Sequence, residues 1–396
     1  MDVKAAAKEK LDALRLQILD LSHRIHANPE LCFREIKAVE WLSEFLSERG
    51  FQVKTGIFDL PTAFSAKAGS GPLHVSICAE YDALPGIGHA CGHNIIAAAA
   101  VGAGIAAAAS ADEAGLTVEV IGTPAEEVGN AGGKILLLER GGFDGVHAAM
   151  MVHPSPFDVL TPKIIAASMF EVRYTGREAH ASAFPEQGIN AADALTVAQT
   201  AIGLLRQHIL PTDRIHGIIT DGGDAPNIIP AHTAAKYIVR GRTLAELEKI
   251  RPRVYACFEA GALATGSKLE IIGGDKPYSE MVHDPDIAEF YRRNSELLGR
   301  SFTDADGLGK KAAASTDMGN VSLVVPSIQP LIGIGSLPAV NHQKDFTDKC
   351  VAESADKAVY DGALAMAWTA LDLASDDSVR TRLLQKSSRT SHISRQ

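Results

Sequence analysis

The sequence predicts an α/β protein, a mixed sheet flanked by helices, interrupted by an inserted ferredoxin-like α+β unit. Three observations carry this. Short apolar runs bounded by Gly and Pro alternate with helix-periodic stretches up to Lys163. From about residue 164 the order becomes β-α-β-β-α-β, a compact unit in its own right. After residue 274 the first texture returns. The expected domains are therefore 1–163 with 275–378, an insert over 164–274, and a polar, flexible tail over 379–396.

Residues 5–49 read as two amphipathic helices broken near "ANPE", where Pro29 must end or start a helix. "FQVKTG", "FSAKAG" and "LHVSICAEYDALPG" read as strands. "NIIAAAAVGAGIAAAAS" is apolar but shorter than a bilayer span, which makes it a buried helix. Strand "LTVEVIGTPAEE", a helix over "GGKILLLERG" and strand "AAMMVHPSP" follow. Strands alternating with helices call for a sheet covered on both faces. The insert reads strand "IIAASMFEVRYTG", helix "NAADALTVAQTAIGLLRQH", strands "IHGIITDGG" and "HTAAKYIVRGRT", helix "LAELEKIRPRVYACFEAGALATG" and strand "KLEIIGG". Beyond it lie helix "DPDIAEFYRRNSELLG", a Gly/Ala/Ser-rich stretch, strand "IQPLIGIG" and a helix over 350–374.

A net charge of −10 argues against a nucleic-acid binder, whose phosphate contacts need a basic face. The five cysteines are odd in number and scattered, unlike a secreted disulfide framework. The charged, helix-periodic start lacks the apolar core of a signal peptide, so a cytoplasmic location is expected, with no membrane partner.

Chemistry concentrates at strand ends, where α/β sheets build sites. In "GIGHACGHN", Cys91 and His93 sit one residue apart between a strand-like segment and the Ala-rich helix. Thiolate and imidazole both suit a borderline-soft cation. Alone, the pair is weak evidence and reads more readily as a packed free thiol beside a helix-capping histidine. "TPAEEVG" adds Glu126 and Glu127 at the end of a hydrophobic strand. Neighbours in extended chain point opposite ways, so one can hold a metal while the other faces water. His153 ends the run "AAMMVHPSP", and His342 in "LPAVNHQKDF" follows a Gly-rich strand exit and could close the cluster.

Together "HACGHN", "GTPAEE", "MMVHP", "YTGREAHASAFPEQGINAADA", "GGDAPNIIP" and "STDMGNVS" resemble the M20 metallopeptidases, in particular the M20D amidohydrolase branch of aminoacylase-like, indole-acetyl-amino-acid and p-aminobenzoyl-glutamate hydrolases. The resemblance runs over about residues 15–375. It implies a di-metal catalytic domain plus an inserted lid and dimerisation domain, and hydrolysis of the amide bond of N-acyl amino acids or small dipeptide-like substrates. Cys91, His93, Glu127, His153 and His342 would hold two divalent cations, zinc first with manganese or cobalt as alternatives. Glu126 would be the general base, and Asp82 in "EYDALPG" would lie behind a metal-bound histidine. Most branches carry a histidine two residues before that aspartate; here it is Glu80. "EEVGNAGGK" is also longer than the family's usual turn, and His89 stays outside the ligand set.

In the insert, the resemblance gives His180 the task of stabilising the oxyanion, within the neighbouring subunit of a homodimer, and lets Asn227 and Arg240 hold a substrate carboxylate. Arg242 is a rival for Arg240. Two other readings are a cysteine nucleophile at Cys91 and a non-catalytic amino-acid or peptide binder on the same fold.

Overall fold

The computed structural model describes residues 2–303 and 314–393, so the Gly/Ala/Ser-rich stretch lies largely outside the described residues. The chain divides into two compact units: Met1–Val128, Gly132–Lys163 and Met281–Gln396 form one, and Gly129–Ala131 with Ile164–Glu280 form the other.

In the first unit, β1 (Gln52–Thr55), β2 (Phe64–Ala68), β3 (Leu73–Ala79), β4 (Leu116–Gly122), β5 (Ala148–Met150) and β11 (Ser327–Ile328) make a mixed sheet in the order β1-β2-β4-β3-β5-β11. β4, β3, β5 and β11 run parallel, and β1 and β2 add antiparallel to one edge. Alternation decides the faces. Leu73, Val75, Ile77 and Ala79 of β3 join the core under α1 (Val3–Ala27), α3 (His93–Ala108) and α11 (Glu353–Ser375). Cys78 joins the core on the other face, with Leu137 of α5 (Gly133–Glu139) and Met318 of α9 (Met318–Ser322). "AAMMVHPSP", expected as one strand, is two: β6 (His153–Ser155) leaves the sheet and pairs with β12 (Leu331–Gly333).

α3 is buried along nearly its whole length, as its even Ala/Gly texture demands. Its glycines allow the close approach. A Cβ at Gly104 would lie 2.3 Å from Val120 Cγ2, and one at Gly102 2.9 Å from Ala363 Cβ. This seats the N-terminal end of α3, which carries His93, at the carboxyl ends of β3, β4 and β5.

The second unit is the β-α-β-β-α-β pattern, with β7 (Ala166–Thr175), α6 (Ala191–Leu205), β8 (Arg214–Asp221), β9 (His232–Gly241), α7 (Leu244–Thr265) and β10 (Lys268–Gly273). Its antiparallel sheet runs β10-β7-β9-β8 over a core of its own. It extends past the expected end at residue 274, because Tyr278 exchanges two backbone hydrogen bonds with Ala167 and Glu280 accepts from Leu244 N–H.

The tail departs from expectation as well. It forms α12 (Asp377–Ile393), in which Leu383 is buried and Arg382 bonds both oxygens of Asp284 at 2.8 Å. No helix among the described residues is long and apolar enough to cross a membrane.

Candidate metal centre

Seven of the sequence-predicted site residues come together at the carboxyl ends of the parallel strands. Cys91 and His93 flank Gly92, whose φ of +77° starts α3 and whose position tolerates no side chain: a Cβ there would lie 2.5 Å from Pro154 Cγ. His93 is buried, and its Nδ1 is 2.9 Å from Asp82 Oδ1, so Nε2 faces the centre. Asp82 Oδ2 accepts from Glu127 N–H at 2.9 Å and from the Cys32 thiol at 3.3 Å. One carboxylate behind the site thus aligns a histidine and a glutamate together. Burial alone would raise the Asp82 pKa, but the His93 charge beside it holds the carboxyl well below the usual range. Burial likewise opposes the imidazolium, yet Asp82 lifts the basicity of His93.

Glu126 and Glu127 do not sit in extended chain as expected. They open a one-turn 3-10 helix, Glu126–Val128, after Ala125 at φ +58°. Glu35 Oε1, fully buried, accepts Ala125 N–H at 2.9 Å and holds that left-handed residue in place. The pair still separates chemically. Glu127 lies 3.2 Å from His342 Nε2 and 3.9 Å from His93 Nε2, and although burial pushes its pKa up, His342 and His93 bring it below the ordinary value. Burial, then the Glu80 and Glu127 charges, push Glu126 well above it.

His153 donates from Nδ1 to Pro154 O at 2.9 Å and turns Nε2 toward Cys91 Sγ at 3.4 Å. Burial lowers its pKa to about 4, which keeps the ring neutral and able to bind a cation. His342, at φ +68°, is tied in by its N–H to Ala90 O at 2.8 Å, next to Cys91.

The residues fit a pair of cations. Among the described residues, three overlapping groups, Cys91–His93–His153, Cys91–Glu127–His342 and His93–Glu126–Glu127, each bring ligand atoms within 4.8 Å of one another. His93 Nε2 and Glu127 Oε1 are buried without hydrogen bonds, a costly arrangement that a cation would resolve. Burial and the Glu127 charge hold the Cys91 thiol well above its usual pKa. That disfavours a free nucleophilic thiolate, whereas coordination would ionise it.

His180, Asn227 and Arg240 lie in the second unit. Ala181 N–H donates to Asn227 O at 3.0 Å, which places His180 beside the "PNIIP" loop. His180 Nδ1 accepts from Ser182 N–H and Ala183 N–H, leaving Nε2 to carry the proton. A cavity of about 370 Å³ opens there, lined by Arg177, Glu178 and Phe184 among others. Arg240 on β9 lies 3.3 Å from His216 Nε2, while Arg242 is engaged with Glu246 in the first turn of α7.

The insert matches the M20 peptidase dimerisation domain over residues 166–265. Over 385 residues the chain is 38% identical to the Xaa-Arg dipeptidase of Mus musculus, covering 94% of this chain and 89% of that protein. The chain belongs to the M20 peptidase family. Its M20 relatives include a p-aminobenzoyl-glutamate hydrolase chain of Escherichia coli, 32% identical over 66% of this chain and 58% of that protein. Among solved structures, a Bacillus subtilis protein described as a dinuclear metal binding peptidase of the M20 family superposes with a TM-score of 0.68 at 20% identity, covering 92% of this chain and 99% of that one. This M20 chain is a metal-dependent hydrolase of linear amides.

Three buried charged residues packed beside the candidate centre were not singled out in the sequence: Glu35, Lys134 and Asp317. Lys134 Nζ is buried between Glu80 Oε1 at 2.5 Å and Asp317 Oδ1 at 2.6 Å. A signal existed in "GGKILLLE", a cation in the first turn of a helix, where the dipole disfavours it.

Proposed function

We propose that the protein hydrolyses the amide bond joining an acyl or aminoacyl group to an amino acid with a free carboxylate, with Glu126 as the proton carrier. The observation that supports this best is the contrast within the glutamate pair. Glu127 faces two histidines of the ligand cluster, while Glu126 is buried among carboxylates that raise its proton affinity. Cys91, His93, Glu127, His153 and His342 would hold the two ions, and this mixed sulfur, nitrogen and oxygen donor set favours zinc, with manganese and cobalt as alternatives. Bound there, the ions would supply Lewis-acid polarisation and a water acidified to near neutral pH.

The chain's own residues do the rest. Asp82 fixes the His93 ring and the Glu127 backbone. Glu126 takes a proton from the attacking water and returns it to the leaving amine. Arg240 and Asn227 hold the carboxylate, for which a planar guanidinium is suited. His180, proton on Nε2, donates to the oxyanion in the neighbouring subunit of a homodimer built through the insert. Five cysteines without disulfides accord with a cytoplasmic setting.

A test uses N-acetyl amino acids and dipeptides, including Xaa-Arg, with metal content measured alongside. Glu126→Gln should keep two ions per chain and lose about 10²–10⁴-fold in turnover. Glu127→Gln should release metal. The reverse pattern would overturn the assignment, and full turnover in protein stripped of metal would overturn the reaction.

A further inference from the structure

Glu80, one residue beyond β3, stands outside the five-ligand set and is fully buried. Lys134 clamps one side of it. The ammonium bonds Glu80 Oε1 and Asp317 Oδ1, and Asp317 Oδ2 accepts the Lys134 backbone N–H at 2.9 Å. Glycine makes this seat: Gly133 N–H donates to Pro124 O at 3.1 Å, and a Cβ there would come within 2.1 Å of that oxygen. The start of α5 is thereby pinned against the loop that leads into Glu126.

The other oxygen has no such clamp. Glu80 Oε2 is buried with no hydrogen-bond partner and lies 3.5 Å from His93 Nε2, which has none either. Because His93 Nδ1 is engaged by Asp82, Nε2 is the ring nitrogen turned toward Glu80. Two buried polar atoms without hydrogen-bond partners are costly, and one cation between them would serve both. Ligands each about 2.1 Å from one tetrahedral ion stand about 3.4 Å apart. The gap between Glu80 and His93 is that wide.

We infer that Glu80 is a further metal ligand, sharing one cation with His93, and that Lys134 is the positioning residue that presents its oxygen. The inference rests on the two-ion reading above. An ammonium suits the task because it also offsets the carboxylates of Glu126 and Asp317 crowded beside it.

The test is metal affinity in stripped protein, titrated with Zn²⁺ against a competing chelating dye, with ions per chain counted by elemental analysis. Native protein should take two ions. Glu80→Gln should weaken one of them at least 10–100-fold, and Lys134→Met should weaken the same ion through loss of the clamp. Glu80→Asp keeps the charge and retracts the carboxylate, so it should weaken that ion as well. The Glu80→Gln/Lys134→Met double variant removes one buried charge of each sign, keeps the backbone N–H at position 134 that Asp317 accepts, and should remain defective. A merely structural role would lower the unfolding midpoint of stripped protein and leave both affinities alone. Folded Glu80→Gln protein with two ions at native affinity would overturn the role of Glu80. Native protein that binds fewer than two ions would instead overturn the two-ion reading.

Discussion

Glu35 shows how one buried side chain can shape the turn that carries another, Glu126, the proposed proton carrier. Its carboxylate bonds Phe33 N–H and Ala125 N–H, both on residues with positive φ, and so shapes the turn before Glu126. Burial, then the Asp82 charge, raise its pKa from 4.5 to about 7. A carboxyl raised on folding stabilises the fold fully below pH 4.5 and loses that contribution as pH rises through about 7. Glu35→Gln keeps the oxygen acceptor and removes the titration. In stripped protein, the variant should gain stability over native between pH 5 and pH 8, by up to about 3 kcal/mol in urea unfolding. A native–variant difference that is flat across that window would refute it. Glu35→Ala, which frees Ala125, should cut turnover at every pH. None of this was legible in "NPELCFREIKAVEWL", where the glutamate reads as the solvated start of a helix. Its partner Ala125 lies too far along the chain for local pattern to join them.

At the scale of elements, the strands were readable because alternation and Gly/Pro punctuation are local. "LHVSICA" places Leu73, Val75 and Ile77 on one face, as β3 does. Reading failed where alternation vanished. "AAMMVHPSP" is buried on both faces through Val152, so nothing in its pattern marks the crossing from β5 to β6. Lys134 was missed for the converse reason, since only Glu80 and Asp317, distant in sequence, make its burial tolerable. The proposed ligands stood out in sequence by residue type: Cys91 and His93 flank Gly92, Glu127 belongs to a paired glutamate soon after β4, and His153 breaks an apolar run before Pro154.

The sheet also carries a prediction of its own. Glu119 of β4, nearly sealed from solvent, is bonded by His74 and Ser76 of β3 and by Ser65 of β2, stitching three strands on one face. Burial would raise its pKa, but His74 and the serines hold it at about 2 against 4.5. A depressed carboxyl stabilises above pH 4.5, and that contribution is lost as pH falls through about 2. Glu119→Gln should therefore cost on the order of 3 kcal/mol at pH 7 and flatten the acid-unfolding curve below pH 4.5. An unchanged acid midpoint would count against it.

For the whole molecule, the proposed dimer makes a prediction no single subunit can. If His180 serves the neighbouring site, a Glu126→Ala chain paired with a His180→Ala chain has one site with both defects and one with neither. Each homodimer should be inactive and the verified heterodimer active, at up to half the native rate. A heterodimer that stays dead would place His180 in its own subunit's site. The order of the chain has a separate consequence. Cys91, His93, Glu127 and His153 all precede the insert, whereas His342 follows it and locks to Ala90 only then. On the ribosome, the insert emerges before the last proposed ligand, His342, does. Under the proposed ligand set, a chain ended just after the insert would lack His342, so complete metal loading would require the residues that follow the insert.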